Sequence, residues 1–533
     1  MKRRDFITRA VPFSVLPFAL GGFSLKAYAN SSLLEKLVNA ATDTDRVLVL
    51  IQLNGGNDGL NMVIPLDQYS ALSNARANIL IDQAKVLTLT NATGLHPAMT
   101  GLQGLYNNGE LAVVQSVGYP TPNFSHFRAT DIWLTGADSN QVLTTGWMGR
   151  YLNEEFAGFP VNYPSTTMPD PLAIQIGSVV SPGLQGNAAS MGMAIPNPQY
   201  FNYLVTGTPD PVPVGTPDRA AHELTFIRQV AQQTQTYAGV VKAAATKAKN
   251  LSTLYPAAGK NSLADQLRIV ALLVAGGLKT RIYVVNLGGF DTHAQQVAAT
   301  GGTETGNHAT LLQKLSDAIA AFQDDLKLLA IDQRVVGMTF SEFGRRIKSN
   351  ASFGTDHGAA APLFLFGKGV KGGIVGTNPV IPPNATVNDN IAMQYDFRSV
   401  YASVLKDWFG VAQTELDTVL KTPQFPSVNT LPLISSVADV EQSNNVPTGF
   451  TLYQNYPNPF NPTTQIKFIS DGSYVQLKVY DVVGREVRSL VDGQLSAGDH
   501  EVTFYADRLP SGVYYYRLQS GNKVITKKMQ LLK

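Results

Sequence analysis

The chain is 533 residues long and 44% hydrophobic, contains no cysteine, and carries a formal charge of +2. That length exceeds one ordinary domain, and the missing cysteine excludes disulfides, thiolate zinc sites and a cysteine nucleophile. Lys2, Arg3, Arg4, Arg9 and Lys26 crowd into the first 29 residues against Asp5. The remainder is therefore close to neutral, and composition gives no case for a nucleic acid or an acidic membrane as partner.

Residues 1–29 have the layout of a signal peptide. Basic Lys2-Arg3-Arg4 is followed by an apolar stretch over 10–23, then by Ala27-Tyr28-Ala29 as a cleavage site. The apolar stretch is too short to span a bilayer, and nothing later in the chain offers the ~20 apolar residues that a crossing helix needs. A mature form without a transmembrane helix is expected. The arginine pair, with Phe6 two positions on, resembles the twin-arginine signal, which implies the twin-arginine translocase as partner and transit through the periplasm.

From 45 to 434, short β-branched apolar runs alternate with amphipathic stretches. The first run, 47–53, leads into Asn54-Gly55-Gly56-Asn57-Asp58. After the run 111–117 come Phe124, Ser125 and His126, with Pro122 just upstream, which puts Ser125 near a helix N-terminus. Residues 155–220 are rich in Pro, Gly, Asn and Thr and read as long loops or an insertion. Helices are expected over 222–249, 263–278, 308–331 and 396–409, the last closed by Gly410. The run 281–287 ends at Gly288-Gly289-Phe290-Asp291-Thr292-His293. The run 334–341 is followed by Glu342, by Arg345 and Arg346, and by Gly354-Thr355-Asp356-His357-Gly358, read as a tight loop; 362–366 is a further strand. This alternation predicts an α/β domain, a mostly parallel sheet with helices on both faces.

Three strands that each deliver an aspartate just past the carboxyl end are the layout of a site on one open sheet. If Asp58, Asp291 and Asp356 lay within ~4 Å of one another, each pair would repel by about 4 kcal/mol at an effective dielectric of 20. A cation offsets such repulsion. With His293 and His357 beside two of the aspartates, the mixed oxygen and nitrogen set suits Zn²⁺, Mn²⁺ or Fe better than Ca²⁺. The metal ligands expected are Asp58, Asp291, His293, Asp356 and His357. Helix or turn capping is the alternative for each aspartate taken alone. Ser125 is the candidate nucleophile, His126 a further ligand or base, and Arg345 a bidentate holder of phosphate or sulfate. The arginines could equally be surface ion-pair partners.

Pro, Ser and Asn accumulate from 421, and 435–448 is expected as a linker. From 449 to 533, short alternating strands separated by turns predict a small β-sandwich. There the string Leu452-Tyr453-Gln454-Asn455-Tyr456-Pro457-Asn458-Pro459-Phe460-Asn461-Pro462, with Val479-Tyr480-Asp481 and Ser511-Gly512-Val513-Tyr514, resembles the C-terminal sorting domain of the type IX secretion system. The resemblance implies an immunoglobulin-like fold, the type IX machinery as partner, and delivery to the medium or the outer-membrane surface.

The strings around Asp58, Ser125, Asp291, Arg345 and Asp356 resemble the family known as domain of unknown function 1501, over most of 45–434. That family is similar to the alkaline phosphatase and sulfatase superfamily, which implies an alkaline-phosphatase-like fold with a serine or threonine nucleophile between metals. Departures are visible. The superfamily spaces Asp-x-x-x-His, whereas residue 295 is Gln; no histidine lies between 358 and 499; and no Ser-x-Pro-x-Arg stretch occurs. Two functions stay open on sequence: a metal-dependent phosphate or sulfate ester hydrolase, and a non-catalytic surface protein that binds a polysaccharide or another partner.

Overall fold

The computed structural model describes residues 45–198, 235–435 and 451–532, apart from 456, 472, 473, 496, 508 and 522. The signal segment 1–29, the first part of the expected 222–249 helix, and 436–448 of the expected linker lie outside the described residues. Two compact units are present, one ending at Ile434 and one beginning at Ser435.

The first unit is built on a nine-stranded sheet. Its strands are β1 (Val47–Asn54), β2 (Leu111–Gly118), β3 (Ala173–Ile176), β4 (Gly192–Ile195), β5 (Ile282–Gly288), β6 (Val335–Phe340), β9 (Ala361–Phe366), β10 (Gly373–Val375) and β11 (Tyr395–Asp396). The order is β10-β2-β9-β6-β1-β5-β3-β4, with β11 beside β2. Only β9 runs antiparallel to its neighbours; all other pairings are parallel.

The pleat explains why β1 reads as a continuous apolar run. Val47, Val49, Ile51 and Leu53 enter one core, which also holds Leu267 and Val270 of α4 (Ser262–Ala275) and Leu315 and Phe322 of α5 (Asn307–Leu328). Leu48 and Leu50 enter a second core with Val400 and Tyr401 of α6 (Phe397–Ser403). Both faces are therefore covered, as a mostly parallel sheet requires.

Two sequence expectations change. The stretch 155–220, expected as loops or an insertion, contributes β3 and β4. All four residues of β3 are buried, and this short apolar run was hidden by Pro- and Gly-rich flanks. The expected loop around Asp356 is instead half of a hairpin, β7 (Arg345–Ser349) against β8 (Thr355–His357), with Arg345 opposite His357. Its turn is set by Asn350, whose Oδ1 accepts from the N–H groups of Ser352 and Gly354 at 3.0 and 3.1 Å.

The second unit contains two antiparallel sheets that fit a β-sandwich. One comprises Thr451–Leu452, Thr463–Asp471 and Ala497–Tyr505; the other comprises Tyr474–Tyr480, Glu486–Gln494, Gly512–Ser520 and Lys523–Leu531. Ile466, Phe468, Leu477, Tyr516 and Leu518 share its core. No helix among the described residues is long and apolar enough to cross a membrane.

Candidate metal centre

The three central parallel strands β6, β1 and β5 end side by side, and the residues that follow them meet. Gly55, just past β1, has φ +122°, and a Cβ there would lie 2.3 Å from the backbone nitrogen of Asp291. Only glycine lets the two strand ends approach so closely. Glu342, two residues past β6, accepts from the Gly55 N–H at 2.8 Å and locks the third strand end to the first.

On this platform His126, His293 and His357 surround Asp291. His126 is the first residue of α3 (His126–Thr135). Its Nε2 lies 3.5 Å from Oδ2 of Asp291, and the Nε2 atoms of His293 and His357 lie 3.2 and 3.5 Å from Oδ1. Donor atoms of His126, Asp291 and His357 all fall within 4.8 Å of one another. His293 lies outside that set of three but adjoins it, its Nε2 2.8 Å from Nε2 of His357. The far nitrogens are held from outside: His126 Nδ1 by Oε1 of Glu342 at 2.8 Å, His293 Nδ1 by Oδ1 of Asp356 at 3.0 Å, and His357 Nδ1 by the Phe124 carbonyl at 2.7 Å. Three imidazoles and a carboxylate so placed fit a divalent transition metal by donor type.

Charge is distributed accordingly. Burial would raise the Asp291 carboxyl, but the Arg345 hydrogen bond and charge, with His293 and His126, hold it below the ordinary range. Asp356 is likewise lowered against its burial by hydrogen bonds from His293 and Asn350. Burial pushes His357 down, with Arg345 adding to the effect and the Phe124 carbonyl opposing it.

Three expected site residues behave differently. Asp58 does not join the cluster. Its Oδ1 caps the short helix α1 (Gly59–Met62) through the Leu60 N–H, and both oxygens accept from Nη1 of Arg76, at 3.0 and 2.8 Å. Gln296 donates to Oδ2 at 2.6 Å, so the carboxylate is enclosed and its charge is met by a guanidinium. Arg345 is not free to hold a substrate. Its side chain is fully buried and donates to the carbonyls of Gly56, Thr355, Gly55 and Phe290 and to Oδ1 of Asp291. Asp356 supports His293 rather than facing Asp291. Ser125 is exposed at the start of α3 and its hydroxyl caps no backbone N–H. Phe124 and His126, its two chain neighbours, both reach into the cluster.

Sequence reasoning missed Glu342 as a site residue. Its one signal was position, directly after a buried strand. Beside the cluster, an open cleft of about 430 Å³ is lined by Gln52, Asn54, Gly55, His126, Phe127, Thr130, Asp291 and Glu342.

Fold and site together define an α/β protein with a histidine-rich carboxylate centre at the carboxyl edge of its parallel strands, followed by a β-sandwich. Residues 210–421 match the family described as a protein of unknown function, DUF1501, and residues 454–531 match the secretion system C-terminal sorting domain. The chain thus carries a DUF1501 region and a sorting domain of the type IX system. The DUF1501 match includes Asp291, His293, Arg345, Asp356 and His357 and begins after Asp58, Ser125 and His126. No curated protein matches the chain.

Among solved structures, it is similar to a sulfatase from Pseudoalteromonas sp., with 11% identity, 89% of this chain and 86% of that one covered, and a TM-score of 0.31. It is also similar to a phosphonate monoester hydrolase from Silicibacter pomeroyi, with 10% identity, 91% and 89% covered, and a TM-score of 0.30. Against PorZ, a surface component of the type IX secretion system of Porphyromonas gingivalis, identity is 17% and the TM-score 0.13. That match covers 19% of this chain and spans 14% of the length of PorZ. At such scores the chemistry has to be argued from the site's own geometry.

Proposed function

We propose that this protein is an exported, metal-dependent hydrolase of phosphate or sulfate esters, with an alkaline-phosphatase-like domain over 45–434. The observation that carries the reading is the convergence of three imidazole nitrogens on Asp291 at the carboxyl edge of the sheet. A divalent ion held there would polarise an ester oxygen and lower the pKa of a nearby hydroxyl. Ser125 is the hydroxyl assigned to attack in this reading, being exposed, at a helix start, and next to His126 in the chain. Glu342 and Asp356 keep the imidazoles aimed, and Arg345 fixes the Asp291 carboxylate. The open cleft beside His126, with Phe127 90% exposed at its rim, leaves room for an ester's organic group.

One observation favours a second reading, a non-catalytic secreted or surface protein that binds a polysaccharide or another partner. The guanidinium of Arg345, which an ester hydrolase could use to hold an oxyanion, is spent on backbone carbonyls. Assay of the zinc-loaded chain on aryl phosphate and aryl sulfate separates the two. Turnover lost in Ser125→Ala with metal retained supports the hydrolase. No turnover on either ester supports the binding protein.

Export is part of the proposal. The sorting domain marks the chain for the surface or the medium. The twin-arginine translocase as first partner, cleavage after Ala29, passage through the periplasm and an immunoglobulin-like sandwich complete the reading.

A further inference from the structure

At the carboxyl end of β2, residues 118–122 and 390–393 line a cavity of about 350 Å³. It shares no lining residue with the cleft beside His126. Tyr119, Pro120, Pro122, Trp133, Ile391 and Met393 make its wall mainly apolar, and none of the lining residues carries a charge. Two of the polar side chains in the wall are satisfied. The Tyr119 hydroxyl accepts from the Asn123 N–H at 3.1 Å, and the Thr121 hydroxyl donates to the Pro120 carbonyl at 2.7 Å. Two others are not. Trp133 is 3% exposed, and its indole Nε1 is buried with no hydrogen-bond partner; Oδ1 of Asn390 is in the same state. The indole is held in place by stacking on Phe340 and Phe397, at centroid distances of 5.6 and 4.6 Å. Folded proteins leave few buried polar atoms unpaired, so two on the wall of one cavity ask for a common partner. The rim is strained as well. Thr121 holds φ +50°, which a β-branched residue rarely adopts, and such strain concentrates where ligands are clamped.

We propose that this cavity binds a small neutral aromatic molecule carrying a hydroxyl group, with the Trp133 N–H donating to the hydroxyl oxygen and Oδ1 of Asn390 accepting its proton. A hydroxyl is donor and acceptor at once, so one group answers both unpaired atoms. The wall answers the ring, since small-molecule pockets are mainly apolar with a few placed polar groups and run upward from about 300 Å³. A charged ligand would find no counter-charge among the lining side chains. A sugar would bury several hydroxyls against a wall whose unpaired side-chain atoms are those of Trp133 and Asn390, and each hydroxyl left without a partner weakens binding. The site goes beyond ester hydrolysis and rests on neither the metal nor Ser125.

The test titrates the full chain with 4-fluorophenol and, separately, with fluorobenzene, which has the ring without the hydroxyl, and follows the fluorine resonance of each. The phenol should bind at least about tenfold more tightly, because fluorobenzene leaves both polar atoms unpaired. Asn390→Leu should bring the phenol's affinity down toward that of fluorobenzene while leaving fluorobenzene binding unchanged. Trp133→Phe, which keeps an aromatic ring and removes the N–H, should do the same; if that variant does not fold, Asn390→Leu on its surface segment decides alone. Crystals soaked in 4-iodophenol should show an anomalous iodine peak in the cavity between Trp133 and Met393. No binding of the phenol, equal affinity for the two probes, an unchanged affinity in Asn390→Leu, or an iodine peak only elsewhere overturns the proposal. Displacement of the phenol by methyl glucoside at equal concentration overturns the aromatic class.

Discussion

Asp58 and Asp291 occupy matching places in the fold, a few residues past the carboxyl ends of the adjacent parallel strands β1 and β5, and their surroundings are opposite. Asp58 is 1% exposed and is met by Arg76, Gln296 and the Leu60 N–H. Asp291 is half exposed, is held on one side by Arg345, and presents its oxygens to three imidazoles on the other. In the first case a guanidinium from the same chain supplies the cation, and the carboxylate becomes part of the core. In the second, Arg345 meets one side of the carboxylate, and its other side is left to three imidazoles and to solvent. What separates the two carboxylates at the same sheet edge is how completely their partners enclose them.

The largest effect expected is at the closed site. Arg76→Met removes the cation from a buried carboxylate and should cost about 3–5 kcal/mol of stability in a denaturant titration. An equal loss in Asp291→Asn, whose carboxylate is half in water, would break the contrast. Next in size is withdrawal of the metal. At zinc a hundredfold above its dissociation constant, chelation should lower stability by about 2.7 kcal/mol. The same treatment of a His357→Ala chain should change little.

Acid sharpens the comparison further. Arg76, His308 and the hydrogen bonds to Asp58 outweigh its burial and lower its pKa from the ordinary 3.8. A carboxyl depressed in the folded state contributes stability that is complete above its unfolded value and is lost as pH falls through the folded one. Stability from the Asp58–Arg76 pair should therefore hold down to about 3.8 and fall below it. In Asp58→Asn the slope of stability against pH below 3.8 should be shallower, as read from denaturation midpoints. The smallest effect expected is from removing residues 449–533. The two compact units divide at Ile434 and Ser435, so the truncated chain should show an unchanged melt for the α/β unit. Fractionation should place it in the periplasm instead of at the surface or in the medium.

Much of the sheet was legible in the sequence because β1, β5 and β6 are buried on both faces and read as unbroken apolar runs. Helix α5 was legible because Leu312, Leu315, Ile319, Phe322 and Leu326 repeat at helical spacing on one buried side. Strands β3 and β4 were not, since runs of four residues among prolines and glycines carry little periodicity. At the site, Asp291 with His293 and Asp356 with His357 stood out as paired donors past strand ends. The fate of Asp58 could not be read, because it depends on Arg76 folding back from a helix 18 residues away. Arg345 was misjudged for a related reason. A guanidinium looks the same in sequence whether it faces solvent or is enclosed by four carbonyls. Glu342 acquires its role only when α3 brings His126 within 2.8 Å of it.

The central claim is a divalent ion held beside Asp291 by the histidines that surround it. Its most direct test is anomalous diffraction at the zinc edge from crystals of the full chain purified without chelator and supplied with Zn²⁺. A peak is expected there, about 2.0–2.2 Å from an oxygen of Asp291 and from the imidazole nitrogens that hold the ion. A folded chain with no peak there, or with its peak at Asp58, would contradict the account.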